Sequence, residues 1–297
     1  MMFERLLVPL DGSEAARAAL DYVEQIPSRA VRLLTVIPDA EAPAREEQPD
    51  RWREWRSDAV ARAEAYLAEV VPALARQGRE VEPRVEIGDP AERIVHHATD
   101  ADLIVMTTHG YGAGRRVIYG SVADRVVRYA PVPVLVVRGG ERPVERSPIG
   151  RIVVPLDGSP LAEQALPVAS ALADDLGVPV HLVRALDAEM LRETVRAEAS
   201  AAAAYAESIE AVRKVVATYL DDRAKELRGR DIFVTTEVRD GAPVDELLEM
   251  TKPGDVIVMT TRGRSGVRRW LLGSVAERLV RDAAVPVLLV RLAQRAE

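Results

Sequence analysis

Two stretches, residues 101–138 and 254–291, hold the residue types with the plainest chemical meaning. In each, a short apolar run ends in Thr-Thr and is followed by a glycine-rich, arginine-rich segment that closes on Gly-Ser. Gly110, Gly120 and Ser121 recur 153 residues later as Gly263, Gly273 and Ser274. Gly110, Gly112 and Gly114 remove side chains where backbone must approach a ligand closely or adopt positive φ. Gly120-Ser121 then reads as the start of a helix to about Ala130, with Ser121 as N-cap and the unbonded amides of the first turn facing the loop. Such an arrangement binds anions through amides and the positive end of the helix dipole.

The charge distribution points the same way. The chain carries a formal net charge of -7, yet residues 110–128 hold Arg115, Arg116, Arg125 and Arg128 against Asp124 alone. Residues 262–281 hold six arginines and one acid, Glu277. A tight strand-to-helix turn with a solvated basic face explains one such copy equally well. Recurrence at fixed spacing favours a phosphate-binding loop, whose guest concentrates the cations.

A second repeated element contributes an acid. Residues 5–13 read R-L-L-V-P-L-D-G-S and residues 151–159 read R-I-V-V-P-L-D-G-S, so Asp157 follows Asp11 by 146 residues. Each aspartate closes a predicted strand, at the edge where open α/β sheets take ligands. The alternative is a turn aspartate that accepts from its own backbone. Gly241-Ala242-Pro243 likewise matches Gly88-Asp89-Pro90. The offset grows from 146 to 153, so seven residues were inserted in connecting segments while the motifs stayed intact.

The elements that hold these motifs follow from periodicity. Continuous or alternating apolar runs predict strands near 5–10, 31–37, 81–87, 102–108 and 133–138, separated by helical patterns, the longest at 51–77 and 188–228. Strands alternating with helices imply a parallel sheet covered on both faces, once per copy. A chain of 297 residues accommodates two such domains, 1–138 and 151–297, with the Gly-, Pro- and charge-rich segment 139–150 as linker. The terminal strands 132–138 and 285–291 are apolar and edge-placed, so the copies are expected to pair there as an internal pseudo-dimer, and a homodimer is compatible with that plan. Trp52 and Trp55, three apart on one helix face, read as packing residues.

Several function classes are disfavoured. With no cysteine there is neither a disulfide framework nor a thiolate nucleophile. The four histidines include no H-x-x-x-H or H-E-x-x-H pair, and adjacent His96 and His97 make a poor metal pair, so no metal is assigned to protein side chains. A sequence pI near 5.4 argues against nucleic-acid partners. The absence of a leader-like segment or an apolar run of membrane length leads us to expect a cytoplasmic protein without membrane contact.

On these motifs the chain resembles a tandem universal stress protein, two domains of that family, in its ATP-binding branch. That branch carries G-x2-G-x9-G-[S/T]. Gly110, Gly120 and Ser121 meet its last three positions, as do Gly263, Gly273 and Ser274, while Thr107 and Thr260 stand at the first glycine. The resemblance implies two Rossmann-like α/β domains, each a five-stranded parallel sheet with helices on both faces, and ATP with Mg²⁺ as ligand. It places Pro9, Leu10 and Asp11 beside the nucleotide, the Val36 backbone at the adenine edge and Met106 along the nucleoside. Thr107, Gly110, Arg116, Gly120, Ser121 and Val122 would line the phosphates. In copy two the same roles fall to Pro155, Leu156, Asp157, Ala185, Met259, Thr260, Gly263, Arg264, Arg269, Gly273, Ser274 and Val275. The function implied is a stress-response regulator acting through nucleotide-dependent conformation or an unidentified protein partner. A slow ATPase or autokinase, or an interaction scaffold without nucleotide, are the alternatives. No P-loop lysine or nucleophile-base pair accompanies the loop. Arg262 and Arg264 stand where copy one has His109 and Tyr111, so copy two is expected to hold a triphosphate more tightly.

Overall fold

The computed structural model describes residues 1–108, 120–139, 147–187, 202–229, 232–261 and 272–291. The predicted glycines and arginines at 109–119 and 262–271, among them Gly110, Arg116, Gly263, Arg264 and Arg269, lie outside the described residues. The chain divides into two units, Met1–Arg146 and Ser147–Glu297.

Unit 1 contains β1 (Arg5–Pro9), α1 (Glu14–Val23), β2 (Ala30–Pro38), α2 (Pro49–Ala75), β3 (Glu80–Gly88), α3 (Pro90–His97), β4 (Leu103–Thr107), α4 (Ser121–Tyr129) and β5 (Val134–Val137). Its strands lie in the order β3-β2-β1-β4-β5, every neighbouring pair parallel. The order reverses between β1 and β4, which places the switch point of this doubly wound sheet at the carboxyl ends of those two strands. β4 is buried at all five positions, as its unbroken apolar run requires.

Helix α2 covers the sheet with Ala59, Ala63, Leu67, Val70 and Leu74, spaced three or four apart so that they share one face. Trp55 packs against Ile37, Ala59 and Ala63. Trp52 sits between two guanidinium groups, Arg45 at 4.6 Å and Arg56 at 5.4 Å from its ring. The two tryptophans therefore do different things, and only Trp55 joins the core. On the other side, His97 Nε2 meets Glu86 Oε1 at 2.7 Å, and the His96 and His97 rings touch edge to face with centroids 5.6 Å apart.

Unit 2 repeats the plan. It contains β6 (Arg151–Pro155), α5 (Pro160–Glu163), α6 (Leu166–Leu176), β7 (Val180–Leu186), α7 (Ala202–Arg228), β8 (Val234–Asp240), α8 (Pro243–Met250), β9 (Asp255–Thr260), α9 (Ser274–Asp282) and β10 (Val287–Val290). The order is β10-β9-β6-β7-β8, again parallel throughout, with the switch point between β6 and β9. The single helix of unit 1 after β1 is here split in two, with a proline in the first turn of each piece. Residues 147–150 join this unit: the Gly150 amide donates to Gly254 O at 2.7 Å and Ile149 is buried. The buried Asp255 carboxylate takes both prongs of Arg151, at 2.9 and 2.6 Å, tying the amino ends of β6 and β9 together. Among the described residues, no helix is long and apolar enough to cross a membrane.

One buried histidine gives unit 2 a pH dependence. His181 on β7 is 6% exposed, with Nδ1 2.7 Å from Thr235 Oγ1 and Nε2 3.2 Å from Glu237 Oε2. Burial, and then the charge of Arg151, hold its pKa below the ordinary value, against the opposing pull of Glu237 and Asp255. Below the unfolded pKa of about 6.5 the unfolded chain takes up a proton that the folded ring resists. This stabilising term is present above that pH and lost as pH falls through it, with a slope of at most about 1.4 kcal/mol per pH unit. Thermal unfolding should therefore show a larger loss of stability from pH 7 to pH 5 in the wild type than in His181→Gln, and equal losses would refute the assignment.

Candidate functional site

At the switch point of unit 1 the chain leaves β1 through Leu10, whose amide donates to Leu34 O at 2.9 Å and so extends the sheet by one residue. Asp11 then turns the chain. Its Oδ1 accepts from the Ser13 amide at 3.0 Å and from Ser13 Oγ at 2.6 Å. Ser13 Oγ in turn accepts from the Ala16 amide at 3.1 Å, capping α1. Gly12 sits between them at φ +84°, the left-handed region that glycine enters without a Cβ penalty. The aspartate therefore builds its own turn as well as facing the sheet edge. Unit 2 matches this, with Leu156 donating to Val183 O at 2.8 Å, Ser159 to Asp157 Oδ1 at 2.9 Å, and Ala162 to Ser159 Oγ at 3.1 Å.

Beside it, β4 ends at Thr107, which is buried together with the next residue, Thr108. The Thr108 amide donates to Val137 O at 3.0 Å, and the Thr108 carbonyl accepts from the Gly120 amide at 3.0 Å. Gly120 is thus tied to the peptide that follows β4. A Cβ on Gly120 would stand 2.7 Å from Thr108 O, inside van der Waals contact, which is why this position takes glycine. Unit 2 repeats the closure: Thr261 donates to Val290 O at 3.2 Å and accepts from Gly273 at 2.8 Å.

Closure fixes where the next helix begins. Gly120 and Gly273 are the N-caps of α4 and α9, with extended ψ of 136° and 147°, and Ser121 and Ser274 are the first helical residues. This corrects the expectation that Ser121 caps. Neither helix has a side-chain cap hydrogen bond, because the capping position is spent on the backbone bond to the strand end. The first ladder bonds are Asp124 N to Gly120 O and Glu277 N to Gly273 O, both 2.9 Å. The amides of Ser121, Val122 and Ala123, and of Ser274, Val275 and Ala276, precede the ladder and carry the positive end of each helix dipole.

The basic residues separate into two groups. Arg125 pairs with Asp89 at 2.6 Å and Glu92 at 3.5 Å, and Arg128 with Asp124 at 2.8 Å. Arg278 pairs with Asp245 at 3.1 Å and Arg281 with Asp282 at 3.0 Å. These arginines thus meet carboxylates on or beside α3, α4, α8 and α9. Asp89 also caps α3 through the Glu92 amide at 2.9 Å, and both Arg125 and that cap hold its carboxyl below the usual range.

Of the other sequence-predicted residues, Pro9 and Pro155 end the strands half-buried, Val36 and Ala185 are half-buried near the ends of β2 and β7, and Met106 is 5% exposed within β4. Met259 is half-buried and Thr260 is buried. Composition did not single out Thr108 and Thr261, which receive the glycine amides. A groove of about 440 Å³ between α3 and α4, lined by Ala91, Val95, His96 and Tyr129 among others, includes none of the predicted site residues.

A parallel sheet whose switch point has an Asp-Gly-Ser turn on one side and a glycine-started helix on the other defines a doubly wound α/β domain, and this chain has two. It belongs to the universal stress protein family, whose family model matches residues 2–138 and again 148–291. It is 27% identical over 245 residues to a universal stress protein of Mycobacterium tuberculosis, covering 82% of this chain and 80% of that one. A second universal stress protein of the same organism is 25% identical over 312 residues, covering 97% and 95%. The crystal structure of a universal stress protein from Archaeoglobus fulgidus shares the fold with a TM-score of 0.67, at 22% identity over 97% of this chain and 98% of that one.

Because the Gly120 Cβ position is taken by the Thr108 carbonyl, Gly120→Ala must stretch the closing bond or shift the helix start. We expect a loss of about 1–3 kcal/mol in denaturant unfolding, the usual cost of forcing an atom into a packed site. A change below about 0.5 kcal/mol would contradict the closure.

Proposed function

We propose that each unit binds one adenine nucleotide, ATP with Mg²⁺, and that the protein is a stress-response regulator whose nucleotide state alters its conformation or its contact with a protein partner. The observation that carries this reading is the loop closure at Thr108–Gly120, repeated at Thr261–Gly273 with hydrogen bonds that agree within 0.2 Å. In both units it sets a helix N-terminus free of a capping side chain against the switch point of a parallel sheet. First-turn amides at the positive end of a helix dipole suit a phosphate.

In this reading the amides of Ser121 and Val122, and of Ser274 and Val275, hold phosphate oxygens. Gly110, Arg116, Gly263, Arg264 and Arg269 line the loop around the same oxygens. Asp11 and Asp157, held in place by their serine bonds, face the nucleoside with Pro9, Leu10, Pro155 and Leu156. The backbones of Val36 and Ala185 meet the base edge, and Met106, Thr107, Met259 and Thr260 form the floor. The triphosphate brings the charge that recruits Mg²⁺.

Isothermal calorimetry with ATP and Mg²⁺ should give close to two sites per chain. Gly120→Val and Gly273→Val should each remove one of them, and the double variant both. No heat at low salt, together with no nucleotide released from the purified protein, would contradict the proposal.

A further inference from the structure

The two sites differ at one flank of the Asp-Gly-Ser turn. Gly12 and Gly158 have the same backbone conformation, φ +84° and +81°, so the hydrogen that replaces Cβ points the same way from each turn. Among the described residues, a Cβ on Gly12 would meet nothing within 4 Å. A Cβ on Gly158 would stand 2.6 Å from Arg184 Nη1, 3.2 Å from Cζ and 3.4 Å from Nη2. The space that no described residue fills beside the unit 1 turn is filled in unit 2 by a guanidinium, with Nη1 nearest to it.

Register identifies the counterpart of this arginine. Leu10 bonds to Leu34 O, and Leu156 to Val183 O, so the following residues, Thr35 on β2 and Arg184 on β7, occupy matching positions. Thr35 is 7% exposed and too short to reach the turn. The surroundings are rebuilt to suit. In unit 1 the guanidinium over the helix tyrosine comes from α1: Arg17 lies 5.2 Å from the Tyr66 ring and bonds Glu69 at 3.0 Å. In unit 2 the α1 position carries Glu163, which accepts from Tyr219 OH at 2.9 Å and pairs with Arg223 at 3.4 Å. Arg184 itself lies 5.7 Å from the Tyr219 ring. The tyrosine keeps a guanidinium over its ring in both units, but in unit 2 Arg184 from the strand end lies there together with Arg223 from the helix, at 6.0 Å, and Arg184 also covers the turn.

We propose that Arg184 determines a difference in specificity between the sites: it closes the nucleoside-facing flank of unit 2, so unit 2 selects an unsubstituted nucleotide, while unit 1 accepts one with a bulky group at its nucleoside end. The inference rests on the nucleotide reading above and adds the difference between the sites. Two probes cover the two ways a nucleoside can face the turn: ATP with an aromatic ester on its ribose hydroxyls, and ATP with a benzyl group on the exocyclic amine. Affinities are measured on the full chain, with unit 1 isolated by Gly273→Val and unit 2 by Gly120→Val.

Unit 1 should bind at least one probe within about threefold of ATP, and unit 2 should bind that probe at least about tenfold more weakly than ATP. Arg184→Thr should bring unit 2 to the unit 1 pattern. Arg184→Met, which keeps most of the bulk without the charge, should preserve the discrimination. A cooperative thermal unfolding transition shows that each variant is folded. Equal discrimination in both units, or discrimination that survives Arg184→Thr, overturns the inference while plain ATP binding leaves the nucleotide reading standing. Failure of ATP itself to bind either unit overturns both.

Discussion

The site depends on one backbone hydrogen bond made twice. When the Gly120 amide donates to the Thr108 carbonyl at 3.0 Å, and Gly273 to Thr261 at 2.8 Å, the residue that starts each helix is tied to the peptide just past a buried strand. The helix that follows must then start at the switch point, with its first-turn amides beside the sheet edge. The sequence requirement is narrow, since any side chain at Gly120 would meet the carbonyl 2.7 Å away. The strand end cannot yield, because β4 is buried along its whole length between parallel neighbours.

Around this bond the electrostatics are divided by distance from the loop. Arginines on α4 and α9 are matched to carboxylates, and Asp89 serves at once as the cap of α3 and the partner of Arg125. Such exposed or half-exposed pairs are worth about 0–1 kcal/mol each, so their role is to orient α3 against α4 more than to stabilise the unit. The arginines at 115, 116, 262, 264, 268 and 269 lie outside the described residues.

Much of this was legible in the sequence for physical reasons. Buried parallel strands announce themselves as unbroken apolar runs, and a duplicated R-x-x-V-P-L-D-G-S turn fixes where a sheet edge lies. The helix start was misread because serine outranks glycine as an isolated N-cap, whereas here a steric constraint from Thr108, twelve residues away, chooses glycine. Counting charge along 110–128 credited Arg125 to the loop, because its partner Asp89 lies 36 residues earlier and meets it only in the fold. Arg184 was equally hidden: its relation to Gly158 and Tyr219 joins a strand, a turn and a helix far apart in sequence, and the matching residue Thr35 has different chemistry.

The central claim, that the helix amides at the two closed loops receive phosphate, is tested most directly by following backbone amide resonances as ATP with Mg²⁺ is added. The account predicts that the amides of Ser121, Val122, Ser274 and Val275 shift most, together with those of Gly120 and Gly273, and that inorganic triphosphate shifts the same set. Shifts centred elsewhere, such as the groove between α3 and α4, with these six amides unmoved, would contradict it.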